Sequence, residues 1–350
     1  MYLGCQIMSE KNSEIKDGLE LKTGSKLATE YLHSECGATI SRNTAKTYQS
    51  YLRGYIEHLD EISVEVLSAK SQNVRSYLKK RARHGRREGT LRLDLTVIKG
   101  LYKWIRLETE KEALIDYLSL ENIDIGRFRT PPTIEREPLN KDELEALYDE
   151  LDTFRDRLMV TVGAELGPRN IDLRKIRVGD VDFEGRTISL SDSKARDRYS
   201  LPISDTLAVE LKHWLTVYRP TYPFSEDHDY VFPSNQGGHL SDSRLLAIVK
   251  EAARNAGIQE SLGESWMSER QKDALGTDAD IREWKKVTVH ALRHTFGHLM
   301  EEAGLSPEAR RDALNHKSTE TTEKYYSSNA TEYKELIREL LHKERDNDDN

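Results

Sequence analysis

The sequence predicts a mostly α-helical protein of two domains, interrupted by one small β-hairpin. Three observations lead there. Apolar residues recur at helical spacing in segment after segment. One proline-bearing, aperiodic stretch, "GRFRTPPTIEREPLN" at 126–140, breaks the chain. One place only, "RTISL" followed by "RYSLPI", alternates apolar and polar residues on both sides of a polar turn, "SDSKARD". At 350 residues the chain exceeds one typical domain and falls short of three.

Residues 1–23 are polar and aperiodic and are expected to be flexible, with either Met1 or Met8 as the start. In "TAKTYQSYLRGYIEHL", 44–59, Tyr48, Tyr51, Leu52, Tyr55, Ile56 and Leu59 fall on one helical face. Segments near 72–83 and 90–107 also read as helices, the second with Val97, Ile98, Leu101, Trp104 and Ile105 as its apolar stripe. A helical domain over 24–126 follows, then a linker over 127–137. Asn140 and Glu143 form a capping-box start for the next helix, continued by Leu144, Leu147, Tyr148 and Leu151. Helices are expected at 156–166, 205–217 and 241–256, with the hairpin between the first two. Residues 259–286 are charged, with few periodic apolar positions and no legible motif. An amphipathic helix at 332–341 closes a second domain over 138–345, and 346–350 form a disordered tail.

Composition narrows the function. No apolar stretch approaches the roughly 20 residues of a membrane span, and the start lacks a basic leader. Cys5 and Cys36 are too few for a disulfide framework or a zinc cluster and fit a reducing cytoplasm, the expected location. The net charge of −8 hides a basic region: 71–111 holds twelve Lys/Arg against four Asp/Glu. Its densest part, 79–87, offers Lys79, Lys80, Arg81, Arg83, Arg86 and Arg87. Such a run is either a solvated helix face or a phosphate-binding one.

Several residues carry possible chemistry. "LGPRNID" sets Arg169 after a Gly-Pro turn with Asp172 three residues on, a spacing that alone reads as a surface ion pair. "HALRHTF" sets His290 and Arg293 on one helical face. Lys194 sits at the hairpin tip, ordinarily a solubilising position, and "LNHKSTETTEKYY" carries His316 and, nine residues on, Tyr325. No phosphate-binding glycine loop, metal motif or serine elbow is present. The set does have a coherent use on a phosphodiester. Arginine forks neutralise the non-bridging oxygens, and tyrosine supplies an oxygen nucleophile. Lysine protonates the leaving oxygen, and histidines hold or shuttle protons.

These motifs, in this order and spacing, resemble those of the tyrosine recombinases, or phage integrases, over most of the chain. The resemblance implies a two-domain DNA clamp, a helical core-binding domain joined to a mixed α/β catalytic domain. It assigns Arg169, Lys194, His290, Arg293, His316 and Tyr325 to catalysis, with no metal and no cofactor, and it prefers Tyr325 to Tyr326, which is read as a packing residue. The implied reaction is site-specific DNA cleavage through a 3′-phosphotyrosyl intermediate, followed by attack of a partner strand's 5′-hydroxyl. The implied partner is double-stranded DNA with a recombination site, bound by four protomers that are monomeric or weakly associated without it. The helix at 332–341 serves either docking onto a neighbour or packing on its own domain. Two departures stand out: Asn315 replaces the usual glycine before the histidine, and Pro168 a larger apolar residue. His294 and His298 read as supporting or packing residues. Alternatives on the same residues are a type IB topoisomerase-like relaxing enzyme and a DNA-binding protein without cleavage. The DNA site, and the choice among integration on a mobile element, excision, dimer resolution and inversion, are not written in the sequence.

Overall fold

Why the chain folds in two pieces follows from where its apolar stripes find partners. The computed structural model describes residues 18–21, 26–134, 137–192, 197–267, 272, 276–302, 304 and 314. It divides into two compact units, Met1–Ile134 with Gly263–Glu283, and Glu135–Leu262 with Trp284–Asn350.

The first unit is built from α1 (Lys26–Glu35), α2 (Arg42–Glu61), α3 (Ser71–Arg83) and α4 (Glu88–Glu108). Ser41 caps α2 by accepting from the Thr44 backbone N–H. The predicted stripes face inward: Leu52, Tyr55, Ile56 and Leu59 of α2 and Val97, Ile98, Leu101 and Ile105 of α4 are buried in one core. Several polar tips inside it are paired. The Tyr102 hydroxyl donates to the Val66 carbonyl at 3.0 Å, which leaves it to accept from Tyr55 at 2.9 Å. Tyr77 donates to Asp94 at 3.0 Å, and Arg81 Nε donates to the same carboxylate at 3.1 Å.

The second unit opens with α5 (Lys141–Asp149), capped by the Asn140–Glu143 box expected from the sequence. It continues through α6 (Phe154–Leu166) and the short α7 (Asn170–Arg174) to an antiparallel sheet of β1 (Val181–Asp182), β2 (Thr187–Asp192) and β3 (Asp197–Pro202). β2 and β3 are the predicted hairpin, in register Ile188↔Leu201 and Leu190↔Tyr199. Its inward residues Ile188, Leu190 and Leu201 join the core formed by α6. α8 (Asp205–His213) continues as a π-helical turn, Trp214–Tyr218. α9 (Asp242–Asn255) and α10 (Val289–Glu302) complete the described helices.

Residues 259–286 hold a structure that periodicity did not reveal. Among the described residues, β4 (Ser261–Trp266) and β5 (Ile281–Lys285) pair only with each other. Their residues are exposed or half-buried, none fully buried, so no apolar stripe marks them. The expected helix at 332–341 lies outside the described residues. No described helix is long and apolar enough to cross a membrane.

Candidate active site

The site starts at a helix end. α6 stops at Gly167, whose φ of +57° is the left-handed conformation that glycine adopts without strain. A side chain is excluded there for a second reason: a Cβ would lie 2.3 Å from the Phe296 ring of α10. One turn earlier, a Cβ on Gly163 would stand 2.9 Å from Leu292. Two glycines thus let α6 and α10 approach closely.

This approach brings the two arginines together. Arg169 is the N-cap residue of α7, extended at φ −66° and ψ 151°, and its guanidinium lies 4.0 Å from Asp172. Arg293, one turn into α10 and only 5% exposed, donates to the carbonyl of Gly167 at 2.5 Å and to that of Leu314. Burial, and next the Arg169 guanidinium, push the Arg293 pKa below its ordinary value, while the Tyr199 hydroxyl and Asp172 oppose the shift. Tyr199 comes from β3, so the β2–β3 pair contributes to the same place.

His290 lies one turn before Arg293 at the exposed start of α10. Its ring meets that of His294 at 4.7 Å, nearly perpendicular, so His294 supports His290 rather than packing inside. Leu314, which opens the "LNH" motif, is tied to Arg293. Lys194, His316 and Tyr325 lie outside the described residues, as does Tyr326. Among the described residues no group of His, Cys, Asp or Glu is arranged to hold a metal ion.

The basic run divides in two. Lys79 and Arg83 are exposed on α3. Lys80 pairs with Glu61, and Arg81 with the fully buried Asp94. Arg86 donates to the Trp266 and Met267 carbonyls and Arg87 to that of Glu264, all in the segment 263–283 of the same unit. Trp266 lies against Gly85, where a Cβ would be 3.0 Å from its ring. Sequence reasoning missed this division, although an acid at 94 inside the apolar stripe of α4 was a readable sign of a buried partner.

Comparison with known proteins finds relatives across most of the chain. Residues 137–332 match the model of the phage integrase family, and 29–109 match that of the phage integrase N-terminal SAM-like domain. The tyrosine recombinase XerA of Pyrococcus furiosus is 25% identical over 302 residues, covering 85% of this chain and 87% of the relative. The tyrosine recombinase XerD of Mycobacterium tuberculosis is 23% identical over 307 residues, covering 82% and 87%. The fold is similar to that of XerH recombinase bound to palindromic difH in a post-cleavage complex (TM-score 0.61, 16% identity, 96% and 93% covered). It is also similar to that of a lambda integrase tetramer bound to a Holliday junction (TM-score 0.60, 14% identity, 89% and 77% covered).

Proposed function

The chain belongs to the phage integrase family, and on that premise we propose a mechanism for its activity as a site-specific tyrosine recombinase that breaks and rejoins DNA. Arg169 and Arg293 bind the non-bridging oxygens of the scissile phosphate. The Tyr325 oxygen attacks phosphorus, forming the Tyr–O–P bond and breaking the bond to the 5′-oxygen, which takes a proton from Lys194. His290 and His316 hydrogen-bond the phosphate and move the tyrosine proton. A 5′-hydroxyl of the partner strand then reverses these steps and releases Tyr325.

The observation that carries this reading is the convergence of Arg169 and Arg293. Two guanidinium groups held together with one buried acid repel each other, and a bound anion relieves that repulsion. A phosphodiester approaching them becomes more negative in its transition state, when the arginines hold it most strongly. The roles of Lys194, His316 and Tyr325 rest on the motif spacing.

The protein acts on duplex DNA and assembles on it; four copies joining two duplexes is the form that strand exchange requires. The lambda integrase tetramer on a Holliday junction supports that stoichiometry. A DNA substrate and the presence of only two cysteines in the sequence support the cytoplasm as the place of reaction. On the first unit, Lys79 and Arg83 contact backbone phosphates, with Lys80, Arg81, Arg86 and Arg87 shaping the surface around them.

The decisive experiment traps the covalent intermediate on nicked duplexes. Tyr325→Phe is expected to abolish the protein–DNA adduct while retaining DNA binding, and Tyr326→Phe to retain both. Adducts that survive in Tyr325→Phe and vanish in Tyr326→Phe would overturn the assignment.

A further inference from the structure

The chain enters the second unit along residues 137–140 and is fastened there to α10, the helix that carries His290 and Arg293. The Leu139 N–H donates to Thr295 Oγ1 at 2.9 Å. Thr295 is fully buried and gives its own proton to the Ala291 carbonyl at 3.0 Å, so the oxygen is fixed as an acceptor. The second fastening is ionic. Glu143 uses one carboxylate oxygen to accept from the Asn140 N–H at 3.1 Å, closing the capping box, and the other to accept from Lys286 Nζ at 2.6 Å. Lys286 is 8% exposed and stands four residues before His290. The next residue is held as well: the Gln259 side-chain amide accepts from Val287 N–H at 3.0 Å and donates to its carbonyl at 3.1 Å.

A buried lysine is tolerated only when paired. Here the pairing reaches across 143 residues of sequence, to the helix that begins the unit. Glu143 is the main cause of a raised Lys286 pKa, with Glu260 and Glu137 adding to it, so the ammonium stays charged throughout the neutral range. Further along, α10 is fixed by Arg293 on the Gly167 carbonyl and by Phe296 against Gly167. The Glu143–Lys286 pair and Gln259 hold the residues just before it.

We propose that Glu143 and Lys286 are positioning residues for strand cleavage. Their ion pair sets the start of α10, and with it the placement of His290 and Arg293, from the point where the chain enters the catalytic unit. This rests on the recombinase reading of His290 and Arg293.

The test compares single-turnover adduct formation with DNA affinity. The probe is a set of duplexes recovered from a random-sequence library by covalent capture on the wild-type chain, then nicked so that cleavage is irreversible. Glu143→Gln keeps an acceptor for the Asn140 N–H and removes the charge; Lys286→Met removes the ammonium; Lys286→Arg restores a cation. Glu143→Gln and Lys286→Met are expected to slow adduct formation at saturating DNA by about tenfold or more, since a displacement of about 1 Å remote from the chemistry suffices for such losses. The Kd for the same duplex is expected to stay within about twofold, and Lys286→Arg to recover most of the rate. Wild-type rates per folded molecule in both variants would overturn the proposal, as would a loss confined to affinity or no recovery in Lys286→Arg. A wild-type chain that forms no adduct on any duplex would overturn the recombinase reading itself, a result distinct from equal rates in wild type and variants.

Discussion

Arg293 donates a 2.5 Å hydrogen bond to the carbonyl of Gly167, two residues before Arg169, so the backbone that presents one arginine is held by the side chain of the other. The two are therefore one device. Arg293→Lys keeps the charge and loses the planar fork, and is expected to lower single-turnover cleavage about 10²–10³-fold with DNA affinity nearly unchanged. Arg169→Ala is expected to fall in the same range. The double variant should lose less than the product of the two, as expected of residues acting together. Quenched-flow measurement of adduct formation against a binding isotherm checks this.

Gly167 carries both a left-handed backbone and a close approach to Phe296. Gly167→Ala is expected to destabilise the protein by about 1–3 kcal/mol, from backbone strain and overpacking. In a Phe296→Leu background the penalty shrinks, because only the steric part is relieved. Thermal or urea unfolding of the four proteins measures the coupling.

Salt titrations separate the halves of the basic run. Lys79→Ala and Arg83→Ala should each reduce the slope of log affinity against log salt by about one, without changing folding. Arg81→Ala should instead lower stability by about 3–5 kcal/mol, because it leaves the fully buried Asp94 without its ion-pair partner.

His58 gives the first unit a pH dependence. It is buried against the Tyr77 ring and near Lys80 and Glu61. Burial, and next Lys80, lower its pKa, with Glu61 opposing. The unfolded chain therefore takes up this proton first, and the contribution to stability falls as pH drops through the ordinary histidine range of about 6.5. Protection factors in α2, corrected for the intrinsic slowing of amide exchange at lower pH, should fall on mild acidification, and His58→Gln should flatten that response. Asp94, its pKa raised chiefly by burial, acts with the opposite sign at lower pH, where protonation favours the folded form.

Much of the fold was legible because single residues carried the signal. The Asn140–Glu143 box, the alternation on both sides of Lys194 and the stripe of α4 each stated their element directly. α1 was not read because it is one short helix in a polar segment. β4 and β5 were not, because a two-stranded ribbon with both faces partly wet has no alternation to find. For the site, the motifs named Arg169, His290 and Arg293, and the fold supplied the reason that two of them meet: glycines at 163 and 167. Tyr199 had no sequence signal, since an aromatic on a strand ordinarily serves packing. The fate of Arg86 and Arg87 was hidden for a related reason: their partners are backbone carbonyls far along the chain, whereas the acid at 94 was a legible partner for Arg81.

The stretch from Gly263 to Glu283 belongs with residues that precede it by more than a hundred positions, while both flanks belong elsewhere. Dissecting the protein at a single cut near Ile134 would strip Arg86 and Arg87 of their carbonyl acceptors and lay bare the surface under Trp266. An amino-terminal fragment prepared for binding studies would then display cations that the intact protein keeps occupied, and its affinity for any polyanion would overstate that of the parent.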